Sequence, residues 1–319
     1  MSTHAQDPSA ALQPRTVPTI YFIGVTTGKS SIMRIFPKWS DLLGLGAAIA
    51  GYDAPLGAPA EVYRAIVEHI KHDPLSLGAL VTTHKIDLLA ATHDLFDYLD
   101  PHAELCGEIS CIAKRDGRLA GYAKDPISSG LAWQHFVPAS HWGGTDAAVL
   151  CLGAGGAAMA ISVFAAQRAD PADRPRRFIA VDIARARLDH LAEIHAKLDT
   201  DVAFDYVLND DPAQNDALLG DLPAGSMVIN ATGMGKDRPG SPLTDAVRFP
   251  QGGLVWELNY RGERLFLQQA QSQAAERQLI IEDGWVYFLH GWTQVISEVF
   301  KVELTPQIFQ QLDQAASNT

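Results

Sequence analysis

The sequence predicts an α/β protein with an N-terminal α/β domain and a second, doubly wound domain built on a parallel sheet. Three observations predict it. Short apolar runs alternate with segments whose apolar residues recur at helical spacing, the pattern of βα repeats. A glycine triplet lies at a strand-to-helix turn in residues 153–158. A chain of 319 residues, 47% hydrophobic and 19% charged, is long enough for about two domains with a core in each.

The elements follow in order. Residues 19–25 (TIYFIGV) form an apolar run ended by Thr-Thr-Gly and read as a buried strand. The structured part of the chain is expected to start near Val17, after a loose tail. A helix is predicted over 32–45, with Pro37 near its first turns, then a strand over 47–52. Residues 59–72 carry Val62, Ile66, Val67 and Ile70 at helical spacing. A second apolar strand covers 77–82, followed by a helix over 84–95. Between 108 and 123, two strands flank Arg115-Asp116-Gly117-Arg118, a glycine-containing hairpin turn.

After Asp125-Pro126 a helix runs to about Phe136, and the segment 137–146 (VPASHWGGTD) reads as a linker dividing the protein near residue 140. Strands at 147–152, 177–182, 226–230 and 253–258 and helices at 156–167 and 184–197 complete the pattern. The first domain is therefore placed at 17–125, and the connecting helix, linker and second domain at 126–283.

Composition excludes several classes. Lys+Arg 25 against Asp+Glu 37 gives a net charge of −12, which repels nucleic acid and anionic membranes. Cys106, Cys111 and Cys151 cannot all pair and have no metal-ligand spacing, so a reducing cytoplasm and no metal site are expected. The start of the chain lacks a cationic stretch followed by an apolar run, so no signal peptide is expected. Residues 147–166 carry no charge, but Gly153, Gly155 and Gly156 interrupt them, which argues against a membrane span. There is no GxSxG elbow, HExxH or GxxxxGK[ST] loop.

Residues 148–158 (AVLCLGAGGAA) place Gly153-x-Gly155-x-x-Ala158 between a strand and a helix. The first glycine permits the tight bend and the second lets backbone N–H groups approach a pyrophosphate, so Gly153, Ala154, Gly155, Gly156 and Ala157 form a candidate Rossmann-like dinucleotide loop. The bland alternative is a packing turn. Asp182 ends the next strand, where a carboxylate accepts from a ribose 2′-OH and repels a 2′-phosphate. NAD is therefore expected, with NADP open because Arg185 and Arg187 stand close by; as an ordinary residue Asp182 is a helix cap.

Lys85 follows a strand and opens a helix, where the helix dipole opposes its charge and suits it to acid–base work. Its bland reading is a lysine reaching into water. Asp125, at a strand-to-helix junction before Pro126, is a carboxylate that caps a helix and can also hold a lysine or a hydroxyl. His84 and His290 are weaker proton carriers.

Five stretches together resemble the shikimate and quinate dehydrogenase family: 24–45 (GVTTGKSSIMRIFPKWSDLLGL), VTTHK at 81–85, 121–125 (GYAKD), GAGGAA at 153–158 and NATGM at 230–234. The resemblance implies a substrate domain first, a nucleotide domain second, and a C-terminal helix at about 284–310 returning to the first. It implies Lys85 and Asp125 as a catalytic pair, with Ser30, Thr82 and Tyr260 at the substrate. It adds Asn230, Thr232 and Met234 to the cofactor residues.

The departures are as informative. Leu80 stands for a hydrogen-bonding Asn, Ile32 for a second carboxylate-binding Ser, Ala123 and Lys124 for Asn and Thr, and Gly291 for a Gln. The expectation is NAD(P)-dependent oxidation of a secondary alcohol on a small cyclic hydroxy acid other than shikimate, by a monomer or homodimer. Lys29 and Lys124 are candidates for the substrate carboxylate, with solvent exposure as their default. The alternatives are a catalytically silent binding protein and a one-carbon folate dehydrogenase.

Overall fold

The computed structural model describes residues 12–236 and 238–317. They form two units, each with a six-stranded sheet flanked by helices. One unit takes in the described residues up to Lys124 together with those from Gly291 onward, and the other is Asp125–His290.

The first unit opens with β1 (Thr19–Gly24), every residue of which is buried. Helix α1 (Ile32–Leu42) buries Ile32, Ile35, Phe36 and Trp39, an apolar stripe at i, i+3, i+4 and i+7. It stops before the expected Leu45 because Gly44 takes a left-handed conformation and Leu45 N donates back to Ser40 O, closing the end. Strand β2 (Ala48–Asp53), helix α2 (Ala60–His72), strand β3 (Ser76–Val81) and helix α3 (Lys85–Thr92) continue the alternation.

Strand β4 (Tyr98–Leu99) and the short α4 (Pro101–Cys106) follow, the latter capped by Asp100. Strands β5 (Cys111–Arg115) and β6 (Arg118–Tyr122) pair antiparallel through Asp116 and Gly117, both with positive φ as a tight hairpin turn requires. Strand order is β2-β1-β3-β5-β6-β4. β5 runs antiparallel to β3 and β6, so β1, β3 and β6 all end on the same edge. The residues that follow those strands are Val25 onward, Thr82 to Lys85, and Ala123 to Lys124.

The loose tail gives way to packing in its described part. Leu12 packs on the core of this unit, and the Arg15 guanidinium lies 4.8 Å over the Tyr21 ring and donates to its hydroxyl.

The second unit contains α5 (Asp125–Phe136), β7 (Val149–Leu152), α6 (Gly156–Ala166), β8 (Arg177–Asp182), α7 (Arg185–His195), β9 (Ala203–Leu208), α8 (Pro212–Gly220), β10 (Met227–Asn230), β11 (Leu254–Glu257), α9 (Leu265–Arg277) and β12 (Ile280–Glu282). Its sheet is parallel throughout, in the order β12-β11-β10-β7-β8-β9. The order reverses between β7 and β10, and the crevice beyond the carboxyl ends at such a switch point is where ligands of this architecture bind.

The Pro- and Gly-rich stretch 137–146 lies inside this unit and does not divide the chain. The Trp142 indole is buried against Trp133, and His141 Nε2 meets Gly225 O at 2.7 Å. The aromatic residues in that segment outweigh its turn composition.

Helix α10 (Trp285–Phe300) carries the division between His290 and Gly291, and α11 (Pro306–Ser317) ends the described chain. Trp292 meets Phe22 edge-on, and Trp39 Nε1 donates to Leu312 O at 2.8 Å. The expected single returning helix is thus two, the second reaching past residue 310. Among the described residues no helix is long and apolar enough to cross a membrane.

Candidate active site

The nucleotide-type loop lies at the switch point of the second unit. Gly153 follows β7 with φ +103°, and a Cβ built on it would lie 2.7 Å from the carbonyl carbon and oxygen of Ala231. No side chain fits there, because the loops after β7 and β10 pass backbone against backbone. Gly155 precedes α6, and a Cβ there would meet nothing within 4 Å. The helix start has no side-chain cap and no acidic residue in its first turn, so its free N–H groups are available to an anion. Gly153→Ala is expected to cost more than the ~1–3 kcal/mol of backbone strain alone and to weaken dinucleotide binding. Chemical denaturation and titration calorimetry check both.

Asp182 ends β8 with a nearly buried side chain. Its Oδ2 accepts from Ala154 N at 2.8 Å and its Oδ1 from Ala184 N at 2.9 Å, and Arg187 stands 3.6 Å away. The carboxylate therefore clamps the glycine loop as well as facing an open cleft of about 640 Å³. Gly153, Asp182, Ile183, Arg187, Thr232, Met234 and Arg238 line this cleft. Ile183 is 65% exposed, an unusual position for a large apolar side chain.

The loop after β10 is shaped by side chains. Asn230 Oδ1 accepts from Thr232 N and Oγ1, and Asn230 Nδ2 donates to Glu257 Oε2 at 2.8 Å. Asn259 donates from N and Nδ2 to Glu257 Oε1, and Asn259 Nδ2 also reaches Met234 O. Asn230 is fully buried, so it forms the loop on which Thr232 and Met234 face the cleft. Burial pushes the Glu257 carboxyl up to about 7, against the three donors that favour its charge.

In the first unit, Lys85 begins α3 directly beyond β3. Thr82 N donates to Ile23 O, which ties this strand end to the end of β1, and Thr83 takes a left-handed conformation at φ +61°. Lys85 Nζ lies 3.8 Å from Glu108 Oε1, whose side chain is 2% exposed. Ser30 follows β1 in the short 3₁₀ turn region anchored by Thr27, whose N and Oγ1 donate to Asp53 Oδ1. Ile32 is fully buried, and its side chain offers no hydrogen bond.

Asp125 is the first residue of the second unit, one residue after Lys124. Tyr260 lies in the second unit too, against Phe288 and Trp285 with Lys236 Nζ 5.8 Å from its ring centre.

Other candidates are spent elsewhere. His84 is buried, with Nε2 facing Ala54 O at 3.0 Å and Nδ1 facing the Tyr63 hydroxyl at 3.1 Å, a core histidine. Burial pushes His290 down to about 4. Lys124 is not a solvated cation: it is 12% exposed and pairs with Glu298 at 2.6 Å, while Lys29 is exposed.

Glu108 and Glu257 escaped sequence reasoning. The available signal was a lone carboxylate beside apolar residues, Glu108 before Ile109 and Glu257 within LVWELNY.

No family model matches the chain. It is 30% identical over 186 residues to a shikimate dehydrogenase (NADP(+)) of Streptococcus thermophilus, covering 56% of this chain and 59% of that protein. It is 28% identical over 213 residues to a shikimate dehydrogenase (NADP(+)) of Lactococcus lactis, covering 66% and 70%. The chain is thus similar, over 181 to 213 residues, to curated shikimate dehydrogenases.

The alignment spans about 59% of the length of the Streptococcus thermophilus member. Solved structures share the fold over nearly the whole chain. Shikimate 5-dehydrogenase from Listeria monocytogenes, in complex with shikimate and NAD, has TM-score 0.70 at 20% identity and covers 94% of this chain and 98% of its own. Quinate dehydrogenase from Corynebacterium glutamicum, in complex with NAD, has TM-score 0.72 at 15% identity, covering 95% and 99%. The 5-ketofructose reductase of a Gluconobacter species has TM-score 0.68 at 20% identity, covering 95% and 99%.

Proposed function

We propose that the protein is an NAD(P)-dependent oxidoreductase that reversibly oxidises a secondary alcohol on a small, cyclic hydroxy acid. The observation that carries this reading is the cleft at the switch point, with an uncapped helix start, a side-chain-free glycine turn and Asp182 along one wall. These residues fit a dinucleotide: N–H groups for a pyrophosphate, a carboxylate for a ribose and the exposed Ile183 for an apolar ring face. Bound there, the cofactor supplies a hydride acceptor or donor.

The chain's own residues do the rest. Lys85 takes the proton of the reacting hydroxyl, and Asp125 orients the Lys85 ammonium and accepts from a neighbouring hydroxyl. Ser30 and Thr82 hold the remaining polar groups, with Tyr260 beside them. Ile32 removes one carboxylate contact known from the family pattern, which favours a substrate other than shikimate.

A panel of cyclic hydroxy acids, with neutral ketoses included because a structural neighbour is named for one, tests the reading with NAD and NADP. Turnover of a hydroxy acid is the expected result; thermal shifts with ligand and no absorbance change at the reduced-nicotinamide band would overturn it. NAD is the expected cofactor. Asp182→Asn is expected to raise the NADP-to-NAD ratio of kcat/KM by about tenfold or more, since two like charges in one cleft cost at least ~1.4 kcal/mol. Initial rates with both cofactors measure it.

A further inference from the structure

Glu108 lies between α4 and β5 and belongs to none of the motifs that suggested a site. Its segment is fixed from three sides. Ile109 N donates to Lys85 O, Ser110 N donates to Tyr122 O, and Ser110 O accepts from Val81 N. Ile109 and Ser110 are buried. The carboxylate is delivered to the first turn of α3 by a backbone that has no freedom to withdraw it.

A carboxylate 2% exposed to water costs several kcal/mol unless a countercharge lies near, and Lys85 Nζ is 3.8 Å from it. That separation exceeds a direct hydrogen bond, so the attraction acts through charge. We propose that Glu108 is a positioning residue for Lys85, supplying the fixed negative charge against which the ammonium group is placed in the site. The proposal rests on the reading of Lys85 as the proton carrier only for its consequence in turnover; the pairing itself stands on the geometry of the first unit.

The other charged or titratable groups of the first unit near the start of α3 face elsewhere. His84 faces Tyr63 and Ala54 O, Asp87 is exposed in the first turn, and Lys124 faces Glu298. Glu108→Gln keeps the shape and removes the charge, so it separates electrostatic positioning from packing.

The test is competitive labelling of the intact protein with acetic anhydride across pH, read at Lys85 by mass spectrometry, with the exposed Lys38 as internal reference. The pH of half-maximal reactivity at Lys85 is expected to fall by about one unit or more in Glu108→Gln while Lys38 does not move. Glu108→Asp, which keeps the charge on a shorter stem, is expected to fall by less.

An unmoved midpoint in folded Glu108→Gln would overturn the proposal. If Glu108→Gln does not fold, an unmoved midpoint in folded Glu108→Ala, which also removes the charge, would do so. In the active protein, Glu108→Gln should lower kcat more than it raises KM and shift the pH–rate limb by the same amount. A labelling shift without turnover on any substrate sinks the oxidoreductase reading and leaves the pair standing; normal turnover with an unmoved midpoint sinks the pair alone.

Discussion

Replacing Lys85 by methionine is expected to lower turnover by about 10²–10⁴-fold while dinucleotide affinity stays within about twofold. Methionine preserves the length and apolar stem of lysine and deletes only the group that carries a proton. Lys85 belongs to the unit that does not hold the glycine loop, so its loss leaves the cleft lined by Gly153, Asp182 and Thr232 intact. Steady-state rates on the best substrate and calorimetric titration with NAD measure the two quantities. Near-normal rates in the variant would remove Lys85 from the chemistry; a parallel loss of NAD binding would show that the substitution damaged the fold instead.

Glu257→Gln is expected to destabilise the protein by about 1–3 kcal/mol although the two side chains have nearly the same shape. Each carboxyl oxygen of Glu257 faces only donors: Asn259 N and Nδ2 at Oε1, and Asn230 Nδ2 at Oε2. Asn230 cannot turn its oxygen toward residue 257, because that oxygen already accepts from Thr232. A protonated Glu257 can carry its hydrogen on the free lone pair of Oε2 and keep all three bonds. A glutamine keeps one accepting oxygen, but its NH2 cannot accept and sets N–H against N–H at the other position. The loop bearing Thr232 and Met234 loosens, so NAD affinity should fall several-fold in the same variant.

The same residue sets a pH dependence. Its carboxyl titrates at about 7 in the fold against an ordinary 4.5, so the folded state holds a proton that the unfolded chain has lost between those values. The contribution is complete below about 4.5 and is lost as pH rises through 7, to a total of about 3 kcal/mol. The difference between wild-type and Glu257→Gln unfolding free energies should shrink across that window. A constant difference from pH 4.5 to 8 would contradict it.

Much of the architecture was legible because each central strand is an unbroken apolar run. Strands β7 and β10 are wholly buried, and the pattern that marks them needs no tertiary knowledge. The elements that escaped are those at edges. Strand β9 (AFDYVL) is half exposed along its length at the end of its sheet, and α9 is rich in Gln and Ala, so neither shows a clean period. The stretch 137–146 has turn composition, yet Trp142 is worth more to the core than its neighbours are to solvent.

The site divides along the same line. The positions of Gly153, Asp182 and Lys85 are readable because each lies at a strand end or a helix start that the local pattern marks. Glu108 and Glu257 become visible only when loops distant in sequence are folded over them, since nothing in their immediate neighbours specifies a buried carboxylate.

The most direct test of the account is a crystal structure of the protein with NAD and its best substrate bound, measuring the separation of Lys85 Nζ from the Asp125 carboxylate. The expected result is a separation within ion-pairing reach, about 4 Å or less, with both groups facing the substrate hydroxyl. Side chains turned to opposite surfaces, or parted by packed hydrocarbon, would contradict it.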